Sequence, residues 1–145
     1  MTRLQGRKTK SSKPIIIDLD KVVDKKKLGE NKKYADKIFV YNEQIFVIEE
    51  AKKPKLKDVD QVIETIKSLK SRHPAYEQVI NIIEKHCSHI EDHIHGIVHG
   101  LKSVDSMVAK YASRKKETII PVNCNEKLWC TINKYTKNKN YQNSP

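Results

Sequence analysis

Hydrophobic positions along this chain change their spacing from one stretch to the next. Two short runs rich in β-branched and aromatic residues, Lys37-Ile38-Phe39-Val40-Tyr41 and Ile45-Phe46-Val47-Ile48, flank polar Asn42-Glu43-Gln44 and predict a β-hairpin. Beyond it the period lengthens. Val59, Val62, Ile63, Ile66 and Leu69 make a helical stripe, with Asp58 placed to cap its start. Pro74 opens a second helical pattern through Tyr76, Val79, Ile80, Ile82 and Ile83. The Gly-bounded segment His95-Gly96-Ile97-Val98-His99-Gly100 reads as a strand, and Val104, Met107, Val108 and Tyr111 as a further helical stripe. Thr118 to Asn123 reads as the last strand, with Pro121 favouring an edge or a strand end. Hairpin, helix, strand, helix, strand predicts an α/β domain whose central mixed sheet is flanked by helices.

The two ends lack such patterns. Arg3, Arg7, Lys8, Lys10 and Lys13, with Ser11 and Ser12, form a basic arm over residues 1–13 that is expected to be flexible and to contact phosphates. Residues 131–145 carry Asn, Lys, Tyr and Gln with little aliphatic content, so a polar tail is expected there. That leaves one domain over 14–130, enough for a single core. Trp129, the only tryptophan, and Leu128 are expected to close the core or a dimer contact.

Charge narrows the partner. The net charge is +11 and the pI about 9.5, which point to a polyanion, and Lys52, Lys53, Lys55 and Lys57 cluster just after the hairpin. No apolar run approaches the roughly 18 to 20 residues of a membrane span, and the N-terminus lacks an apolar signal core. A soluble, cytoplasmic protein is therefore expected. Cys87, Cys124 and Cys130 are an odd number and no disulfide framework, which fits a reducing compartment. With four glycines there is no phosphate-binding glycine loop, and no Ser/His/Asp arrangement stands out, so covalent nucleophilic catalysis is not expected.

The candidate chemistry sits at the hairpin. Asp36 precedes its first strand, and if the second strand runs on through Lys52, then Phe46, Ile48, Glu50 and Lys52 share a face. Hairpin pairing would bring Asp36 back beside Glu50, giving two carboxylates with one ammonium. Such a set suits Mg²⁺ or Mn²⁺, hard ions that prefer oxygen ligands, and the Ala51 carbonyl could complete it. A metal there stabilises charge on a phosphodiester oxygen and acidifies a bound water, while a lysine positions that water. The reaction class implied is phosphodiester hydrolysis.

Asp36 and Glu50-Ala51-Lys52, fourteen residues apart at the two acids, resemble the PD-(D/E)xK nucleases, which include restriction enzymes, archaeal Holliday junction resolvases and RecB-like exonucleases. Ala35 stands where the family name has proline. The resemblance covers roughly residues 30 to 125. It implies a restriction-endonuclease-like core and a Mg²⁺- or Mn²⁺-dependent endonuclease that cuts DNA as a homodimer. It implies Asp36 and Glu50 as metal ligands, joined by Glu30 (Asp24 is the next candidate) and the Ala51 carbonyl. Lys52 would orient the attacking water, and Gln61 would assist from the following helix. Arg7, Lys8, Lys10, Lys53, Lys55 and Lys57 would contact the nucleic acid.

Three other readings stand beside it. Glu50 and Lys52 could be a solvated ion pair of little energetic weight. The same fold could bind DNA without cutting it. Finally, five of the six histidines fall between His86 and His99 and could build a zinc-stabilised nucleic-acid-binding module. There His86, His89 and His93 would share a helix face, or His93, His95 and His99 a strand face; no Cys-x-x-Cys or His-Glu-x-x-His pattern is present.

Overall fold

A computed structural model describes residues 13–29 and 32–143. Its centre is a five-stranded sheet whose spatial order is the chain order: β1 (Ile15–Asp18), β2 (Lys37–Tyr41), β3 (Gln44–Ala51), β4 (Ile94–Gly100) and β5 (Ile119–Val122). β1, β2 and β3 form an antiparallel meander, whereas β3, β4 and β5 run parallel. Parallel neighbours need a crossover. The first consists of α3 (Leu56–Lys70), a 3₁₀ turn (Pro74–Tyr76) and α4 (Glu77–Glu84); the second is α5 (Ser106–Ser113). Two short helices, α1 (Leu19–Val22) and α2 (Lys25–Leu28), follow β1, and α6 (Asn125–Asn143) closes the chain. The sheet is thus mixed and flanked by helices, as the hydrophobic pattern predicts. No helix of the described residues is long and apolar enough to cross a membrane.

The pleat sorts the core into two layers. Ile38, Val40, Ile45, Val47 and Val98 face Val59, Val62, Ile63, Ile66 and Leu69 of α3. Phe39, Phe46, Ile48, Ile97 and Val122 face Leu128 and Ile132 of α6 on the other side. Gly96 lets α3 lie close on β4: a Cβ there would come within 2.6 Å of both Val62 and Ile119 side chains.

Three expectations change. α6 replaces the polar tail expected from residue 131 and runs to Asn143. Leu128, Ile132 and Thr136 are spaced by four residues and buried, so a sparse stripe suffices to seat a helix on an apolar sheet face. β1 adds a strand beside the basic arm, where the three-residue run Ile15-Ile16-Ile17 is too short to show a period. α3 begins at Leu56, so Asp58 is its third residue and its Oδ2 accepts the Lys55 N–H at 2.7 Å.

The hairpin turn has the shortest form. Tyr41 pairs with Gln44, leaving Asn42 and Glu43 at φ 49° and 63°. Two successive left-handed residues match the twist of the flanking strands. The turn fixes the β2–β3 register, with Ile38 opposite Val47 and Lys37 opposite Ile48.

Candidate functional site

Alternation along β3 separates its two glutamates. Glu49 follows Ile45 and Val47 onto the α3 face, and Glu50 follows Phe46 and Ile48 onto the α6 face. Asp36 stands just past the last ladder pair of β2. Its N–H donates to the Ile48 carbonyl (3.1 Å), and its Oδ2 accepts the Glu50 N–H (2.7 Å). Asp36 therefore meets the backbone of Glu50, while its charge and its own N–H act on the Glu49 carboxyl. The expected convergence of the Asp36 and Glu50 side chains does not occur, because one position along a strand is the difference between its two faces.

Glu50 has other partners. Its Oε2 lies 2.9 Å from His99 Nδ1 and 3.3 Å from Lys37 Nζ. Burial works against its charge, but the His99 hydrogen bond and Lys37 outweigh it and lower the Glu50 pKa. Lys52 lies beyond the end of β3 and is exposed; its carbonyl accepts the N–H groups of Lys102 (3.0 Å) and Ser103 (3.3 Å). The Ala51 carbonyl, expected to face a metal, accepts the Leu101 N–H at 2.9 Å.

The acids on the α3 face form a different set. Glu49 and Asp58 are each 7% exposed, and Asp36 is open to solvent at their edge. Burial first, then the negative charges of Asp36 and Asp58, push the Glu49 pKa up to about 8; the Asp36 backbone hydrogen bond opposes this and a hydrogen bond with the Asp58 carboxyl adds to it. Glu49 Oε1 is buried without a hydrogen-bond partner. An orphaned carboxylate oxygen among like charges is costly unless a proton or a cation joins it. The donors are all oxygen, the preference of Mg²⁺ and Mn²⁺, so these residues fit such an ion better than a soft metal.

α3 also holds the segment that carries Asp36. Ala35 N–H donates to Thr65 Oγ1 (2.9 Å), and Thr65 donates in turn to the Gln61 carbonyl (2.8 Å). Gln61 Nε2 donates to the Tyr34 carbonyl at 3.4 Å, so this expected catalytic residue braces the chain two positions before Asp36. Outside Asp36 lies an open groove of about 630 Å³, with Lys32, Lys33 and Lys37 on its walls. Exposed Lys53, Lys55 and Lys57 follow β3, at the carboxyl ends of the parallel strands and the N-terminus of α3. Open α/β sheets bind ligands at that end.

Other expected residues lie elsewhere. Arg3, Arg7, Lys8, Lys10 and Glu30 fall outside the described residues. Asp24 caps α2, accepting the Lys26 and Lys27 N–H groups. α4 ends at Glu84, so His86, His89 and His93 share no helix face. His95 and His99 do share a face of β4, but each has its own partner: His95 Nε2 lies 2.8 Å from Gln44 Oε1, and its ring packs on Phe46 and Tyr135. Among the described residues, one group brings three ligand atoms within 4.8 Å of one another: the exposed His89, Glu91 and Asp92. Asp36, Glu49 and Asp58 do not form such a group.

In the sequence the Glu-x-Lys spacing points to Glu50 and Asp58 reads as a helix cap, so the buried Glu49–Asp58 pair does not stand out. Counting ladder pairs outward from a two-residue turn would have put Glu49 next to Asp36. Comparison with protein families, with curated proteins and with solved structures finds no match.

Proposed function

We propose that this protein is a metal-dependent nuclease that hydrolyses phosphodiester bonds of DNA on a restriction-endonuclease-like core, with Asp36 and Glu49 as the carboxylates of its metal centre. One observation carries the reading: the buried, unpartnered Glu49 oxygen beside Asp36, at the sheet end where lysines line the approach. The meander of three antiparallel strands, a helical crossover and a parallel fourth strand supports the core assignment. Mg²⁺ or Mn²⁺ bound here would supply Lewis-acid stabilisation of the phosphate and an acidified water.

The chain's own residues do the rest. The Glu50 N–H orients Asp36, and packing between sheet and α3 orients Glu49. Lys53, Lys55 and Lys57 neutralise the nucleic-acid backbone, which the N-terminus of α3 also attracts. Lys52, three positions past Glu49, would orient water from the strand end. A duplex exceeds the reach of so small a domain, so a homodimer cutting two strands completes the proposal.

Binding without cutting is the second reading, and Ala51 favours it: two positions past Glu49 on the same face, it provides no ammonium. One experiment separates the two. Labelled duplex, single-stranded, flap and four-way-junction DNAs are incubated with Mg²⁺, Mn²⁺ or EDTA and the wild type, Asp36→Asn, Glu49→Gln, Glu50→Gln or Lys52→Ala. Metal-dependent cutting that falls at least about a hundredfold in Asp36→Asn and Glu49→Gln, with DNA binding kept, is the expected result. Salt-sensitive binding with no cutting of any substrate would leave the binding protein.

A further inference from the structure

We propose that the rim at the carboxyl ends of β3 and β4 is a docking surface for DNA with unpaired bases, in which Leu56, Leu101 and Met107 meet base faces while the lysines between them meet phosphates. The inference deepens the DNA reading by naming its substrate class, and rests on it for the polymer though not for cleavage.

An exposed apolar side chain on its own is ordinary. Leu56, Leu101 and Met107, however, are 38%, 51% and 70% exposed and stand on one rim: Leu56 opens α3 after β3, Leu101 follows β4, and Met107 lies in the first turn of α5. Two sets of bonds bring them together. The Leu101 N–H donates to the Ala51 carbonyl (2.9 Å), and those of Lys102 and Ser103 donate to the Lys52 carbonyl (3.0 and 3.3 Å), so the connections after β3 and β4 lie side by side. Tyr111 donates to Asp60 Oδ1 at 2.7 Å and ties α5 to α3. Leu56 and Met107 each precede that bridge by four residues, about one helical turn, and so stand at the rim end of the two bridged helix faces. The turn after β4 folds straight back: at Gly100 a Cβ would collide with the Ser103 carbonyl, and Leu101 is carried on the outside of that turn.

Charge selects the occupant. Residues 52–57 and 101–107 carry five lysines against one acid, Asp105. Lys55 and Lys57 flank Leu56, Lys102 follows Leu101, and all three lysines are exposed. A surface both cationic and apolar complements a ligand both anionic and apolar. In a closed duplex the base faces are stacked away and only the lysines would find partners. A flap, a junction or a single strand presents phosphates and bare base faces together.

The test measures binding of the full-length protein in EDTA, by fluorescence anisotropy over a range of salt, to a blunt duplex, the same duplex with a single-stranded flap, and the flap strand alone. The variants are the double substitution Leu101→Ser with Met107→Gln, Lys102→Gln, and Ile16→Thr, which removes a 63%-exposed apolar side chain from the β1 edge. Expected is a wild-type affinity for the flap about tenfold or more above that for the blunt duplex, a preference that the double variant loses with its salt slope unchanged. Lys102→Gln should keep the preference and lower the slope of log affinity against log salt by about 0.7 to 0.9. A wild type without the preference, a double variant that keeps it, or an Ile16→Thr protein that loses it equally would overturn the inference. So would phosphatidylserine vesicles that sediment the wild type but not the double variant while all three DNAs bind alike, which would assign the rim to lipid. Adding Mg²⁺ separates this inference from the nuclease reading. Blunt duplex cut as fast as the flap, by wild type and double variant alike, sinks the inference and leaves the nuclease; a flap preference lost in the double variant, with no cutting of any DNA, leaves the inference and sinks the nuclease.

Discussion

Glu49 and Glu50 are adjacent, chemically identical and oppositely placed. The sequence made Glu50 legible because two positions on stands Lys52, and motif spacing is all that a chain displays. Which of two neighbouring acids faces Asp36 depends on strand pairing, which is set at the turn. Asp36 and the acids around it are legible as candidates; which of them face one another is not. The Glu49 environment has a measurable sign. Its ordinary pKa is 4.5 and its folded value about 8, so between these pH values the native state holds a proton that the unfolded chain has released. In metal-free buffer the wild type should lose stability as pH rises from about 4.5 to about 8 and level off above. Glu49→Gln should lack that slope, as urea midpoints at pH 5, 7 and 9 would show. His95 works the other way: burial, then His93, push it down to about 4 from 6.5. Its contribution is intact above 6.5 and fades as pH falls toward 4, so His95→Gln should flatten the acid limb of the same curves.

Elements with dense periodicity were readable, and those supported by few contacts were not. The hairpin and α3 carry apolar residues at nearly every inward position, so their period declares itself. Among the described residues α6 sets Leu128, Trp129, Ile132, Tyr135 and Thr136 toward the sheet, and asparagines and lysines between them give the composition of a tail. What seats it is the apolar face formed by Phe39, Phe46 and Ile48, a demand created by other elements and invisible locally. Ile132 is 1% exposed, and Ile132→Ala should cost about 2–5 kcal/mol in urea unfolding, far more than a residue in a frayed tail would. A loss below about 0.5 kcal/mol would mean that the helix does not pack as described.

For the whole molecule, charge was legible at once and its placement only in part. The net +11 suits a polyanionic partner, and the sheet polarity decides that Lys53, Lys55 and Lys57 stand at the acid-bearing end. If all three meet phosphates, Lys53→Gln, Lys55→Gln and Lys57→Gln together should lower the slope of log affinity against log salt by about 2 to 3 for duplex DNA. An unchanged slope would place the backbone on another surface. The two-residue turn at Asn42 and Glu43 bears on the effect of a deletion as well as on geometry. A turn of minimum length has no slack, so loss of one residue there is absorbed by a slide of β3 against β2. That slide would carry Asp36 from beside Glu49 to beside Glu50, with Lys52 two positions further along the same face. One codon lost at the hairpin tip would thus decide which of two neighbouring glutamates shares a face with Asp36.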